Sequence, residues 1–400
     1  MSMEGRLELI KKIRIGYRIC DKCILRLFKR NTDEDGLKKL TGYLNKDKKN
    51  KEECYICEGL LEEIPVFTGL IEKKLEGYEF NTFLIGSKVD EEIVNKEREV
   101  VELLDLKDAE PLKMELNREI GKNLERITGK TVDFNDPDVT AVIDTGFNVV
   151  TLQVKSLYIY GRYLKYERGI PQTKWPCRVC RGVGCRACGY TGRLYDTSVE
   201  EIISSVAIPI TGAVDASFHG CGREDIDARM LGNGRPFVLE LKQPRRRTID
   251  LKELERGINK NAGCRIKVIN LRYSDQGEVV RLKNADYRKV YDVLIESEQV
   301  FIKEKVKKVA GLLPSVTIKQ FTPSRVAHRR ALTVRERKVY NCEVQSVEGN
   351  IARLIIETES GTYIKELVSG DNGKTQPSIS EMLGVPCRVK ELDVIEVKGE

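Results

Sequence analysis

Apolar residues recur at helical spacing at Leu112, Leu116, Ile120, Leu124 and Ile127, so residues 111–128 are expected to form an amphipathic helix. Gly129 follows as its C-terminal stop. Runs rich in β-branched residues, TFLI at 82–85 and VTAVIDTGFNVVTLQV at 139–154, predict strands. Further along, SVEEIISS at 198–205 opens another helix and residues 251–262 read as one more. Strands are expected at 236–241 (PFVLEL), 265–273, 290–295 (VYDVLI) and 352–358. The pattern breaks at 218–237, FHGCGREDIDARMLGNGRPF, where Gly220, Gly222, Gly232 and Gly234 flank a run of three acids and an arginine. Such a run suits neither a buried helix nor a buried strand, because its side chains need water or a charged partner. It is expected to be a functional loop held by the strand that follows it.

A chain of 400 residues divides into two or three domains at ~150 each. Its apolar runs fall short of the ~18 residues of a membrane span, and MSMEGRLELIKKIR lacks the apolar core of a signal peptide. A soluble, cytoplasmic protein is therefore expected, and in that compartment twelve cysteines argue for metal ligation over disulfides. Cys20, Cys23, Cys54 and Cys57 form two C-x2-C pairs separated by a charged insert. Cys177, Cys180, Cys185 and Cys188 form C-x2-C-x4-C-x2-C with a glycine-bearing link. Each set supplies four thiolates, the complement of a closed structural zinc site. Cys221, Cys264, Cys342 and Cys387 are isolated and are expected to pack.

A net charge of +7 is modest, but it is clustered, and clustering is what binds phosphates. Residues 321–339 hold Arg325, His328, Arg329, Arg330, Arg335, Arg337 and Lys338, the densest expected RNA footprint. Residues 158–175 interleave tyrosines with Arg162, Lys165, Arg168 and Lys174. This pattern fits either base stacking with phosphate contact or a snorkelling surface. GDNGKT at 370–375 is not a Walker loop, since Val368 stands where glycine is required and a helix precedes it. The residues point to cofactor-free chemistry on RNA. A loop carboxylate could act alone as nucleophile or base, or Glu224, Asp225 and Asp227 could hold magnesium for strand cleavage. A non-catalytic tRNA-binding or chaperone protein is the reading from another class.

Gly222-Arg223-Glu224-Asp225 resembles the G-R-x-D loop of pseudouridine synthases, and GTYIKEL at 361–367 is similar to a GTYIR segment of a bacterial member. FNDPDV at 134–139, with the strands after it, resembles the THUMP RNA-binding domain. Together with REDIDARMLGNGRPF, HRRALTVRERKV and the cysteine pairs, the chain resembles the archaeal branch of the pseudouridine synthase 10 family over nearly its whole length. The resemblance implies isomerisation of T-loop uridines 54 and 55 in tRNA without a catalytic cofactor, zinc being structural; it implies no protein partner, and the apolar runs give no expectation of a membrane. It makes Asp225 the catalytic aspartate, with Asp227 as the alternative register, and Lys365 the cation paired to it where relatives often carry arginine. Tyr291 matches the tyrosine that stacks on the target base, and Ile364 and Leu392 wall the pocket. Arg223, Arg325, Arg329 and Arg330 are assigned to substrate binding. The expected fold is α+β: a zinc-binding segment at 1–60, a THUMP-type region at 61–195, and a catalytic domain at 196–400 on a mixed, largely antiparallel sheet.

Overall fold

The computed structural model describes residues 3–29, 32, 34–46, 54–106, 108–326 and 331–399. His328, Arg329 and Arg330, and most of the lysine run at 46–51, lie outside the described residues.

The chain forms two compact units, Met1–Lys155 and Ser156–Glu400. The first comprises α1 (Met3–Gly16), α2 (Asp21–Lys29), α3 (Glu34–Lys46), α4 (Ile64–Leu75), β1 (Thr82–Lys88), α5 (Glu91–Leu103), α6 (Leu112–Thr128), β2 (Thr131–Val132), β3 (Val139–Asp144) and β4 (Val149–Val154). Its sheet runs β2-β1-β3-β4, with β1 parallel to both neighbours and β3 antiparallel to β4. The α6 stripe falls where its spacing places it. Leu112, Leu116, Ile120 and Leu124 are fully buried, and Gly129 adopts the left-handed cap. Ile127, at the end of the stripe, is instead exposed. One core runs from Ile10 on α1 through Cys54 and Cys57 to Ile143 on β3, so residues 1–60 are not a separate domain.

The second unit comprises β5 (Leu157–Lys165), α7 (Val199–Thr211), β6 (Asp215–Gly220), β7 (Arg229–Lys242), α8 (Leu251–Ala262), β8 (Ile266–Ser274), α9 (Gln276–Asn284) and β9 (Lys289–Ser297). It continues with α10 (Lys303–Leu312), β10 (Thr317–Phe321), β11 (Val334–Glu348), β12 (Ile351–Thr358), α11 (Ile364–Ser369), β13 (Thr375–Gln376), α12 (Ile379–Leu383) and β14 (Cys387–Val397). The sheet order is β13-β10-β11-β12-β9-β14-β7-β5-β8, with β6 also paired to β7. The β14–β7 pairing is parallel and the others in this sheet are antiparallel, which makes the sheet mixed and largely antiparallel, within an α+β fold.

Two expectations are corrected here. The catalytic unit begins at Ser156 rather than at 196, because β5 lies between β7 and β8 and is bonded along both edges. The second cysteine ribbon therefore belongs to this unit. For the same reason the tyrosine-and-cation tract at 158–175 is not, over its strand, an RNA-facing surface: Tyr160, Arg162, Tyr163 and Lys165 are buried. Their cations find carbonyl partners, as burial demands. Arg162 donates to Asn233 O (2.6 Å) and Gly234 O (2.9 Å).

Candidate active site

The acid-rich segment is shorter than its glycines suggest. β6 ends at Gly220 and β7 begins at Arg229, so residues 221–228 connect an antiparallel pair. Gly232 and Gly234 lie inside β7 with positive φ. A Cβ at Gly232 would stand 1.7 Å from Ile395 O, so the parallel β14 strand can approach only over glycine. Gly222 starts the loop at φ +74, with Arg235 Nη1 3.1 Å from where its Cβ would be.

Along this loop the side chains part company. Glu224 turns into the protein, where its carboxylate is 1% exposed. It lies 2.8 Å from Arg235 Nε and 3.8 Å from Lys165 Nζ, and it accepts from the Tyr163 hydroxyl at 2.8–2.9 Å. Gln172 donates to the same hydroxyl (2.9 Å) and to Gly222 O (3.0 Å). Lys165 donates to Ile170 O (2.8 Å), Ile226 O (3.0 Å) and Asp225 O (3.3 Å), so a buried ammonium grips the loop backbone itself. Burial pushes the Lys165 amine below its ordinary range, against the pull of the Glu224 charge. Arg168 adds a further tie, donating to Asp227 O and to Leu392 O, both at 2.8 Å.

Asp225, the next residue, points the other way, into a cavity of about 600 Å³. Arg325 Nη1 donates to its Oδ1 at 2.6 Å, and Lys365 Nζ lies 3.6 Å from its Oδ2. Arg325 is held in turn by Glu366, through Nε at 2.6 Å and Nη2 at 3.1 Å, a two-point grip that fixes the guanidinium plane. Burial works against the Arg325 charge, but Glu366 and Asp225 outweigh it and raise its pKa. Lys365 bonds Asp227 more closely (2.7 and 2.8 Å) than Asp225. Burial would raise the Asp227 carboxyl, yet this contact holds it below its ordinary value.

Tyr291 on β9, Ile364 at the start of α11, Leu392 on β14 and Arg223 all line the same cavity. Tyr291 is buried, which pushes its phenol up to about 12, with the Asp225 charge adding to the effect against Arg235. Arg223 stacks over Trp175 at 5.1 Å. The sequence reading thus named Asp225, Tyr291, Ile364, Leu392, Arg223 and Arg325, which all line one cavity, and Lys365, which reaches Asp225 at its edge. Arg325 was expected on phosphate and stands instead on Asp225. Glu224, Asp225 and Asp227 do not form one cage. Glu224 pairs with Arg235, while Asp225 and Asp227 meet Arg325 and Lys365, an arrangement in which all three carboxylates are already answered by cations.

Sequence reasoning missed Glu366, Arg235, Tyr163, Gln172 and Lys289. Glu366 sits beside Lys365 in GTYIKEL, so only its direction was hidden. Arg235 precedes the anchoring strand motif, and its partner Glu224 is 11 positions away across a hairpin that the glycines disguised as loop.

The two cysteine sets each gather into one cluster, their ligand atoms within 4.8 Å of one another. Sγ–Sγ separations are 3.7 Å for Cys20–Cys57, 3.9 Å for Cys177–Cys185, and 3.8 Å for both Cys180–Cys188 and Cys185–Cys188. Four sulfurs each ~2.3 Å from a common tetrahedral centre would be spaced about 3.8 Å apart, so the donor geometry fits a metal ion. Backbone amides of Gly184 and Gly192 point at Cys180 Sγ and Cys188 Sγ, both at 3.2 Å, as they would toward thiolates. Cys221, Cys342 and Cys387 are buried as packing residues, whereas Cys264 is exposed. Among the described residues, no helix is long and apolar enough to cross a membrane.

A family model described as "Pus10, C-terminal" matches residues 158–398, and one described as "Pus10 THUMP domain, archaeal" matches residues 67–144. The chain is 43% identical over 350 residues to the tRNA pseudouridine synthase Pus10 of Methanothrix thermoacetophila, covering 87% of this chain and 77% of the relative. It is 40% identical over 405 residues to the namesake of Methanothermobacter marburgensis, covering 99% of each. Among solved structures, a Cbf5-Nop10-Gar1 complex aligns at 17% identity and a TM-score of 0.33, over 59% of this chain and 48% of that one. The chain belongs to the archaeal branch of the Pus10 family and is an isomerase of the pseudouridine synthase class.

Proposed function

We propose that the enzyme isomerises uridines 54 and 55 in the T-loop of tRNA, with Asp225 as the catalytic residue. The observation that carries this reading is one carboxylate projecting into a cavity of about 600 Å³ while its neighbour Glu224 anchors the loop from behind. The target uridine leaves its stack to enter the cavity, at a cost of a few kcal/mol, which stacking on Tyr291 between Ile364 and Leu392 offsets. Arg325 and Lys365 orient Asp225 toward the ribose, where it acts as nucleophile or base. The C1′–N1 bond breaks, the uracil turns, and a C1′–C5 bond forms. The C5 proton departs and N1 gains one, so no redox or nucleotide cofactor is consumed. Arg223, and Arg329 and Arg330 beyond the described residues, contact the RNA backbone. The two cysteine clusters hold structural zinc, on the strength of the tetrahedral sulfur spacing.

The test is tritium release from a tRNA transcript labelled at uracil C5, without added metal, for wild type, Asp225→Ala and Asp227→Ala. Release lost with Asp225→Ala and retained with Asp227→Ala is expected. The reverse pattern would transfer the catalytic role to Asp227. Transcripts carrying cytidine at 54 or at 55 assign the position, and release that persists with both replaced would sink the T-loop reading.

A further inference from the structure

Lys289 opens β9, two residues before Tyr291, so strand alternation puts both side chains on one face, and both line the cavity that receives Asp225. Its residue is 7% exposed. The ammonium donates to Tyr287 O at 2.9 Å and Ser360 Oγ at 3.2 Å, which leaves one of its three N–H bonds unassigned. Among the described residues, no carboxylate lies within 4 Å of it. Two other cations that border the cavity are already answered: Arg235 by Glu224 at 2.8 Å, and Arg337 by Glu359 at 3.2 Å. Asp286 and Lys283 also border the cavity. Burial, with the Arg235 charge adding, pushes the Lys289 amine down to about 8.

A lysine held this way is costly to the empty enzyme, since neutral acceptors only partly offset a buried charge. An occupant of the cavity that brings a full negative charge would reverse that cost. Uracil carbonyls carry none, whereas the backbone of an RNA substrate carries one at each phosphate. The same strand that presents Tyr291 to the base presents Lys289 one pleat further along, about the distance that separates a base from its own phosphates.

We propose that Lys289 is a phosphate anchor inside the catalytic cavity, pairing with one of the two phosphates that flank the flipped uridine. The inference rests on the pseudouridine reading above and adds to it how the flipped nucleotide is held. The anchor is electrostatic and does not take part in bond making. It sits on the strand side of the cavity, apart from the Arg325–Asp225–Lys365 cluster, and would oppose return of the nucleotide to its stack.

The experiment crosses protein and substrate changes. Wild type, Lys289→Met and Lys289→Arg are assayed on a short T-loop RNA carrying a methylphosphonate, which is neutral, at the phosphate 5′ or 3′ of the target uridine. Thermal melting of each variant checks folding. Wild type should lose about 10- to 100-fold in kcat/KM on one of the two neutralised substrates, the range expected for a charged hydrogen bond. Lys289→Met should lose a similar factor on native RNA and nothing more on that neutralised substrate, while Lys289→Arg recovers part of the loss. Losses that multiply for both phosphates, or full activity of Lys289→Met on native RNA, would overturn the proposal while leaving the pseudouridine reading intact. An inactive wild type on native RNA would remove the underlying reading and this one with it.

Discussion

Replacing Glu224 with glutamine removes a charge and almost no volume from the wall behind Asp225. In the folded enzyme that carboxylate stands 2.8 Å from Arg235 and 3.8 Å from Lys165, whose side chains are 1% and 0% exposed. Glutamine can still meet the Tyr163 hydroxyl, so the loss is that of the charge alone, and it leaves two cations buried with neutral partners. Breaking a buried pair by removing one partner costs about 3–5 kcal/mol. For a unit the size of residues 156–400 this corresponds to a fall in melting temperature of roughly 6–20 °C. Because the chain has two compact units, the measurement is best made by hydrogen exchange on peptides of the second unit alongside calorimetry. Arg235→Gln should cost a similar amount. The double variant should be less damaging than the sum by at least ~1 kcal/mol, since removal of both charges leaves only Lys165 stranded. Wild-type melting in Glu224→Gln, or strictly additive losses, would refute the claim that this ion pair holds the loop that carries Asp225. A loss of activity without any loss of stability would instead place Glu224 in the chemistry.

Other consequences can be checked separately. Arg325→Lys keeps a charge beside Asp225 but loses the two-point grip on Glu366, so turnover should fall roughly 10- to 100-fold with little change in melting; a wild-type rate would show that orientation of the guanidinium is immaterial. Stripping the proposed zinc from the Cys177–Cys188 cluster should accelerate amide exchange at Gly184 and Gly192, whose N–H groups point at cysteine sulfurs, by at least about tenfold; unchanged exchange after verified metal loss would count against a structural ion there. Glu278 is held at about 2, chiefly by Arg272, with burial opposing and Ser274 and Arg281 assisting. Its folded pKa is depressed, so its contribution is complete above the ordinary value of 4.5 and disappears as pH falls through about 2. Glu278→Gln should therefore be less stable than wild type by about 1–2 kcal/mol at neutral pH, after allowance for half-exposed partners, and the gap should close between those two pH values. A gap independent of pH would mean that charge is not what Glu278 contributes.

Local chemistry was legible in the sequence wherever it depended on near neighbours. The cysteine spacings announced two four-sulfur clusters because each C-x2-C pair presents two thiols from one tight turn, although the fold had to bring Cys20 and Cys23 to Cys54 and Cys57 across 30 intervening residues. The α6 stripe and the β-branched runs placed helices and strands because 3.6 and 2 residue periods are properties of the backbone. Gly222 to Asp225 stood out because acids between glycines need water or a buried cation. Only the tertiary structure decided which way those acids point. Glu224 and Asp225 are adjacent in sequence, yet one is buried against Arg235 and the other meets Arg325 across 100 positions of chain. Likewise, charge pattern alone cannot tell a cation that faces phosphate from one that lies in a central strand. Arg162 and Lys165 became interior because β5 is bonded on both edges, a pairing made with strands roughly 70 to 110 residues further along the chain. Sheet register is set by such distant partners, and a residue's function here follows from the face that the register gives it.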